Sequence, residues 1–82
     1  MYPKRNISAF MFFVKFNKDD VRKELTEYMG ERKPTASHIG WRLGQNWENL
    51  REEKKIYTDL AYKDRQRYKT EMLNYKLTRI LN

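Results

Sequence analysis

At 82 residues the chain has room for one hydrophobic core and not for two. It contains no cysteine, which excludes a disulfide framework and a thiolate metal site. Its 18 Lys and Arg against 11 Asp and Glu give a formal charge of +7, which implies an acidic partner such as a nucleic acid or an anionic membrane.

No run approaches the roughly 20 apolar residues that span a bilayer, and no signal-peptide hydrophobic segment follows Met1. A soluble, intracellular chain is expected. The charge is uneven: residues 1–23 carry +4, residues 24–61 carry −1 and residues 62–82 carry +4. The two basic ends meet in one surface if the fold brings them together.

In chain order, residues 1–7 read as an extended arm, because Pro3 fixes φ and biases its predecessor away from helix. Ser8 or Asn6 caps a first helix over about 8–28. Gly30 and Pro34 mark a link over about 29–34, and Thr35 or Ser37 caps a second helix over about 35–48. Its apolar residues Ile39, Leu43 and Trp47 form a narrow stripe. Asn49, with Glu52 three positions on, has the form of a capping box, so a third helix is expected over about 50–76, with a basic tail over 77–82. The pattern is all-α, with no period-two segment.

The most informative stretch is PKRNISAFMFFVKFN, residues 3–17. On a wheel of about 100° per residue starting from Ala9, Phe13, Phe10, Val21, Val14, Phe16 and Phe12 occupy an arc of roughly 200°, the expected core side. Met11 falls near 200°, between Lys18, Arg22, Lys15 and Ser8. A lone surface methionine ordinarily means nothing. One ringed by cations, just after a basic arm, suits a face where Lys and Arg meet phosphates and an apolar side chain enters a base step.

The segments PKRNISAFMFF, IGWRLGQNW, EEKKIY and DRQRY, in this order and spacing, resemble the high-mobility-group (HMG) box family over about residues 2–75. The resemblance implies an L-shaped fold of three helices with the N-terminal arm packed along helix III. It implies core positions at Phe13, Trp47 and Tyr57, and Pro3 against Tyr68 in the long limb.

It also implies binding in the DNA minor groove. Lys4 and Arg5 would lie along the backbone, Ser8 and Phe10 on the groove floor, and Met11 would be the wedge, with Lys15, Lys18 and Arg22 around it. Ile39 would line the groove, Arg42 would supply a further cation, and Lys76 and Arg79 would continue toward the compressed major groove. Ser8, where sequence-specific members usually have Asn, favours binding by structure and charge. The implied role is a non-sequence-specific architectural DNA-binding protein that bends DNA and prefers bent or four-way-junction DNA. A nuclear or otherwise genome-associated location (chromatin, nucleoid or viral) and a monomeric state are expected, with no metal and no cofactor.

Four departures stand out. Ala36 occupies the place of a second wedge, so one kink is expected. LTEYMGERK is about six residues longer than the usual link, which calls for either an extended helix I or a projecting loop. The link from Trp47 to Tyr57 is one residue short, with Asn49 standing in for a Ser cap. Trp41 stands where a polar residue is usual and is expected to widen the core; otherwise Trp41 or the 25–34 link offers a surface to a protein partner.

A sequence-specific regulator, a protein-interaction module and an anionic-membrane helix are the rival readings. An enzyme is not expected: the single histidine, His38, lies near a helix start, where it suits a cap.

Overall fold

A computed structural model describes residues 2–81. Three helices follow one another, α1 (Ala9–Met29), α2 (Ala36–Asn49) and α3 (Lys54–Leu81), with residues 2–8 extended ahead of them. Ser8, in extended backbone, turns the chain into α1 by accepting the Met11 N–H on its Oγ at 3.2 Å.

α1 settles the question of the long link by extension: it continues to Met29 and leaves only a short turn before α2. Gly30 ends it with φ +64° and ψ −119°, a conformation nearly restricted to glycine, and its N–H still reaches the Thr26 carbonyl at 3.2 Å.

Thr35 caps α2. Its Oγ1 accepts from the His38 N–H at 3.3 Å, and its own N–H donates to His38 Nδ1 at 3.1 Å, so the histidine does the reciprocal work usually given to Glu or Gln.

The expected cap at Asn49 is not formed. Asn49 is the last residue of α2, and α3 begins at Lys54 instead of residue 50. The cause is Leu50, which takes extended backbone at the helix end and packs against the core while its N–H closes onto Asn46 and Trp47. Tight i to i+3 bonds from Lys54, Lys55 and Ile56 back to Arg51, Glu52 and Glu53 then start α3, so the two glutamates sit just ahead of its first turn, where the dipole favours them. No separate tail follows: α3 runs through 77–81.

Phe13, Val21, Ile39 and Leu43 are the buried residues, with Phe10, Val14, Leu25, Trp47, Leu50 and Tyr57 packed around them. Phe13 is the hub: its ring lies 5.4 Å from that of Trp47 and 5.3 Å from that of Tyr57, tilted or edge-on as ring quadrupoles prefer. The Lys54 ammonium closes one side, 5.2 Å from the Trp47 ring.

The buried sector of α1 is narrower than the sequence pattern implies. Phe16 is 58% exposed, stacked on half-buried Phe12 and touching α3 only at its edge, with its ring 6.4 Å from that of Tyr57. Trp41 is likewise corrected: it is 65% exposed, because two positions on from Ile39 it faces away from the Ile39–Leu43–Trp47 stripe.

α1 packs against both other helices, and the arm binds α3 in the opposite direction. Three contacts fix this register: Ile7 N–H to Asp64 Oδ2 at 2.5 Å, Arg67 to the Lys4 carbonyl at 3.1 Å, and the Tyr2 ring edge-on to Tyr75 at 5.2 Å. The neighbouring Tyr68 hydroxyl raises the Tyr2 phenol above its ordinary value.

The spacing follows from geometry. Extended chain advances about 3.3 Å per residue, so Tyr2 to Ile7 spans about 17 Å. A helix advances about 1.5 Å, so Tyr75 to Asp64 spans about the same. The result is an L, with α1 and α2 in the short limb, the arm and α3 in the long one, and extents of 59 × 28 × 14 Å. The all-α, three-helix expectation holds, and none of the described helices is long and apolar enough to cross a membrane.

Candidate nucleic-acid interface at the arm and α1

Asp64 holds the corner of the L. Its side chain is 15% exposed, takes the Ile7 N–H on one oxygen and the Arg67 Nε on the other at 2.8 Å. Arg67 continues to Glu71 and to the Lys4 carbonyl. The hydrogen bond from Arg67, and then that from Ile7, holds the Asp64 carboxyl below the usual carboxylate range, and the charges of Arg67 and Lys15 add to this. The same pairing holds the Arg67 guanidinium above its ordinary value.

Beside this clamp lies an open groove of about 580 Å³ lined by Asn6, Ile7, Ser8, Met11, Val14, Lys15, Lys18 and Asp19. Met11 is 53% exposed. With Lys15, Lys18 and Arg22 it follows the i, i+4, i+7, i+11 line of one helix face, all four exposed. Arg22 lies 3.8 Å from Asp19 in a solvent-open pair, too weak to withdraw it from another anion. Lys4 and Arg5 are exposed on the arm that forms the groove's other wall. The arrangement offers an apolar tip beside a line of α1 cations.

Ser8 belongs to the groove and is also the α1 cap, so the backbone presenting Met11 is fixed by the same hydroxyl. Phe10 is half-buried, its ring edge-on to Trp47 at 5.8 Å.

Two expected members of the surface are elsewhere. Ile39 is 7% exposed and forms part of the core, since it leads the stripe by which α2 docks on α1. Arg42 is held by Glu24 at 3.0 Å, on a side of α1 about 140° around from Met11, with its Nε buried and unpartnered. Lys76 and Arg79 are exposed far along α3, and the Arg79 guanidinium folds back over Tyr75, 5.6 Å from its ring and hydrogen-bonded to its hydroxyl at 3.2 Å. Among the core expectations, Phe13, Trp47 and Tyr57 come together, whereas Tyr68 is half-buried in the long limb.

Sequence reasoning missed Asn6, Ile7 and Val14 as groove lining, and it missed the Asp64–Arg67–Glu71 clamp. The spacing of Asp64, Arg67 and Glu71 reads as ordinary intrahelical pairs. Nothing in it signals that the arm's backbone would complete them. On the arm's other side a smaller groove of about 380 Å³ is bordered by Thr58, Ala61, Tyr62 and Arg65.

A two-limbed, three-helix module whose arm is bound antiparallel to its long helix, with an apolar tip among lysines at the corner, is a box domain in architecture. The chain belongs to the HMG (high mobility group) box family, whose model matches residues 3–76. It is 39% identical over 77 residues to non-histone chromosomal protein 6A of Saccharomyces cerevisiae, covering 93% of this chain and 76% of that protein. It is 40% identical over 76 residues to non-histone chromosomal protein 6 of Debaryomyces hansenii, covering 89% and 74%. It is also 36% identical over 81 residues to the FACT complex subunit SSRP1 of Vicia faba, covering 98% of this chain but only 12% of that much longer protein. No solved structure matches the chain.

Proposed function

We propose that this protein is an architectural, non-sequence-specific DNA-binding module that sits in the minor groove, inserts Met11 into a base step and bends the duplex. The observation that carries this reading is the exposed Met11 at the head of the Lys15–Lys18–Arg22 line, in a groove whose other wall is Asn6, Ile7 and Ser8 of the arm. Relatives named as chromosomal proteins support it and favour a chromatin location within the nucleus.

In this mechanism Lys4, Arg5, Lys15, Lys18 and Arg22 neutralise phosphates, releasing counterions. Met11 then enters one step at a cost of a few kcal/mol, recovered as the bent duplex meets more of the arm and α1. Because Ala36 is too short to unstack bases, a single kink results. DNA already kinked has met the unstacking cost and binds more tightly than straight duplex. Ser8, with one short hydroxyl that already serves α1, has little capacity to distinguish base edges in a groove that mainly separates A·T from G·C.

The test is a gel shift of four-way-junction against linear DNA at two salt concentrations, with bending read by fluorescence transfer. Met11→Ala is expected to reduce bending while leaving the melting temperature nearly unchanged. Phe13→Ala, at the hub of the core, is expected to cost about 3–5 kcal/mol of stability. Equal affinity for junction and linear DNA at both salts, or full bending by Met11→Ala, would overturn the reading.

Trp41, exposed on the outer face of α2 beside a groove of about 380 Å³, supports a second contact surface for a protein partner.

A further inference from the structure

Beyond the DNA-facing corner, α3 carries a second patterned surface. Leu73, Leu77 and Ile80 are 58%, 47% and 77% exposed, and Leu81 is 83% exposed. At about 100° per residue the first three lie within about 60° of one another. Their spacing of four and three residues is the d-a-d seam by which helices pair. Asp64, Arg67, Glu71 and Tyr75, which bind the arm, occupy the opposite side of the same helix. The arm therefore leaves this seam uncovered.

For so polar a chain, four large aliphatic residues exposed in the last nine positions of α3 are more than chance scatter on a solvated helix. A helix end with no packing role is served better by Lys, Glu or Gln. The flanks indicate what covers the seam. Lys69 and Lys76 border it, together lining an open groove of about 430 Å³ with Tyr68, Met72 and Leu73. After Glu71 the helix has no carboxylate at all. A second copy laid antiparallel would bring these same lysines against one another, and one laid parallel would offer them only the uncharged Asn74 and Leu81. An acidic helix with an apolar stripe would meet both features at once.

We infer that the Leu73–Leu77–Ile80 seam of α3, flanked by Lys69 and Lys76, is a docking site for an acidic amphipathic helix of a partner protein. The partner's aliphatic residues pack between Leu73, Leu77 and Ile80, and its carboxylates meet the two lysines. Because the seam faces away from the arm, docking and DNA binding are compatible.

The probe is a synthetic helical peptide with Leu at a and d and Glu at e and g, labelled for fluorescence anisotropy, with two controls: Ser replacing Leu at a and d, and Lys replacing Glu at e and g. The Leu–Glu peptide is expected to bind saturably and gain helicity by circular dichroism. Leu77→Gln and Ile80→Gln, which keep good helix formers at exposed positions, are each expected to weaken it about tenfold without moving the melting temperature. The lysine peptide is expected not to bind.

Equal binding of the Leu and Ser peptides would reduce the interaction to charge alone and overturn the proposal. So would sedimentation showing a dimer of the unmodified protein that Leu77→Gln dissociates, because the occupant would then be a second copy. Four-way-junction affinity of Leu77→Gln should match the parent. Its loss would assign the seam to the DNA surface and overturn the docking site.

Discussion

Ser8 shows how one side chain can serve both fold and site. Its Oγ accepts from the Met11 N–H, and the residue lines the groove that Met11 projects into. Removing the hydroxyl should therefore affect stability before any contact with DNA is considered. Ser8→Ala is expected to lower stability by about 1 kcal/mol, whereas Ser8→Asn, an equally good cap, should keep the parental denaturation midpoint. Should the Asn variant unfold as early as the Ala variant, the cap is not what Ser8 contributes. The placement of Met11 was legible because helical period alone decides it: its neighbours on the wheel are four cations or hydroxyls, and no tertiary partner is needed. Arg42 was not legible in the same way. Its position depends on Glu24, eighteen residues upstream on another helix, and nothing local in IGWRLGQNW reveals that pair.

Among its described residues the arm has no buried one, and it is tied to α3 largely by polar contacts. Asp64 ties it to α3 through Ile7 and Arg67, and the carboxyl is held below its usual range by those donors. A carboxyl whose folded value is depressed stabilises the fold fully above its unfolded value, about pH 4, and the contribution fades as pH falls through the lower folded value. Asp64→Ala is expected to cost about 1.5–3 kcal/mol near neutral pH, the range of a charged hydrogen bond. It should also flatten the loss of stability as pH falls below about 4. Thermal melts of both proteins across that interval check the point, and parallel acid curves would mean another carboxylate governs it. The three helices themselves were readable from period and caps, since Ser8 and Thr35 begin helices where their residue types suggest. The start of α3 was not. Asn49 and Glu52 have the spacing of a capping box, but the gain from burying Leu50 keeps the chain helical through Asn49 and moves the start to Lys54. A local motif worth about 1 kcal/mol yields to the packing of half-buried Leu50 against the core.

At the scale of the whole molecule, the net charge of +7 is less important than which cations remain free. Arg67 is committed to Asp64 and Glu71, and Arg42 to Glu24, so each is occupied within its own limb. Lys4, Arg5, Lys15, Lys18 and Arg22 stay exposed on the arm and α1. If these five contact phosphates, the logarithm of affinity should fall with the logarithm of salt at a slope of about −4.5. The geometry also sorts single substitutions. Lys18→Ala, beside Met11, should flatten the slope by about 1, because one phosphate contact is lost. Arg42→Ala should leave the slope unchanged, because that guanidinium faces Glu24 about 140° around α1 from Met11. Titrations of junction DNA at four or more salt concentrations separate the two outcomes. The reverse pattern, a slope flattened by Arg42→Ala and untouched by Lys18→Ala, would put the duplex on the α2 side of α1 and remove Met11 from the interface.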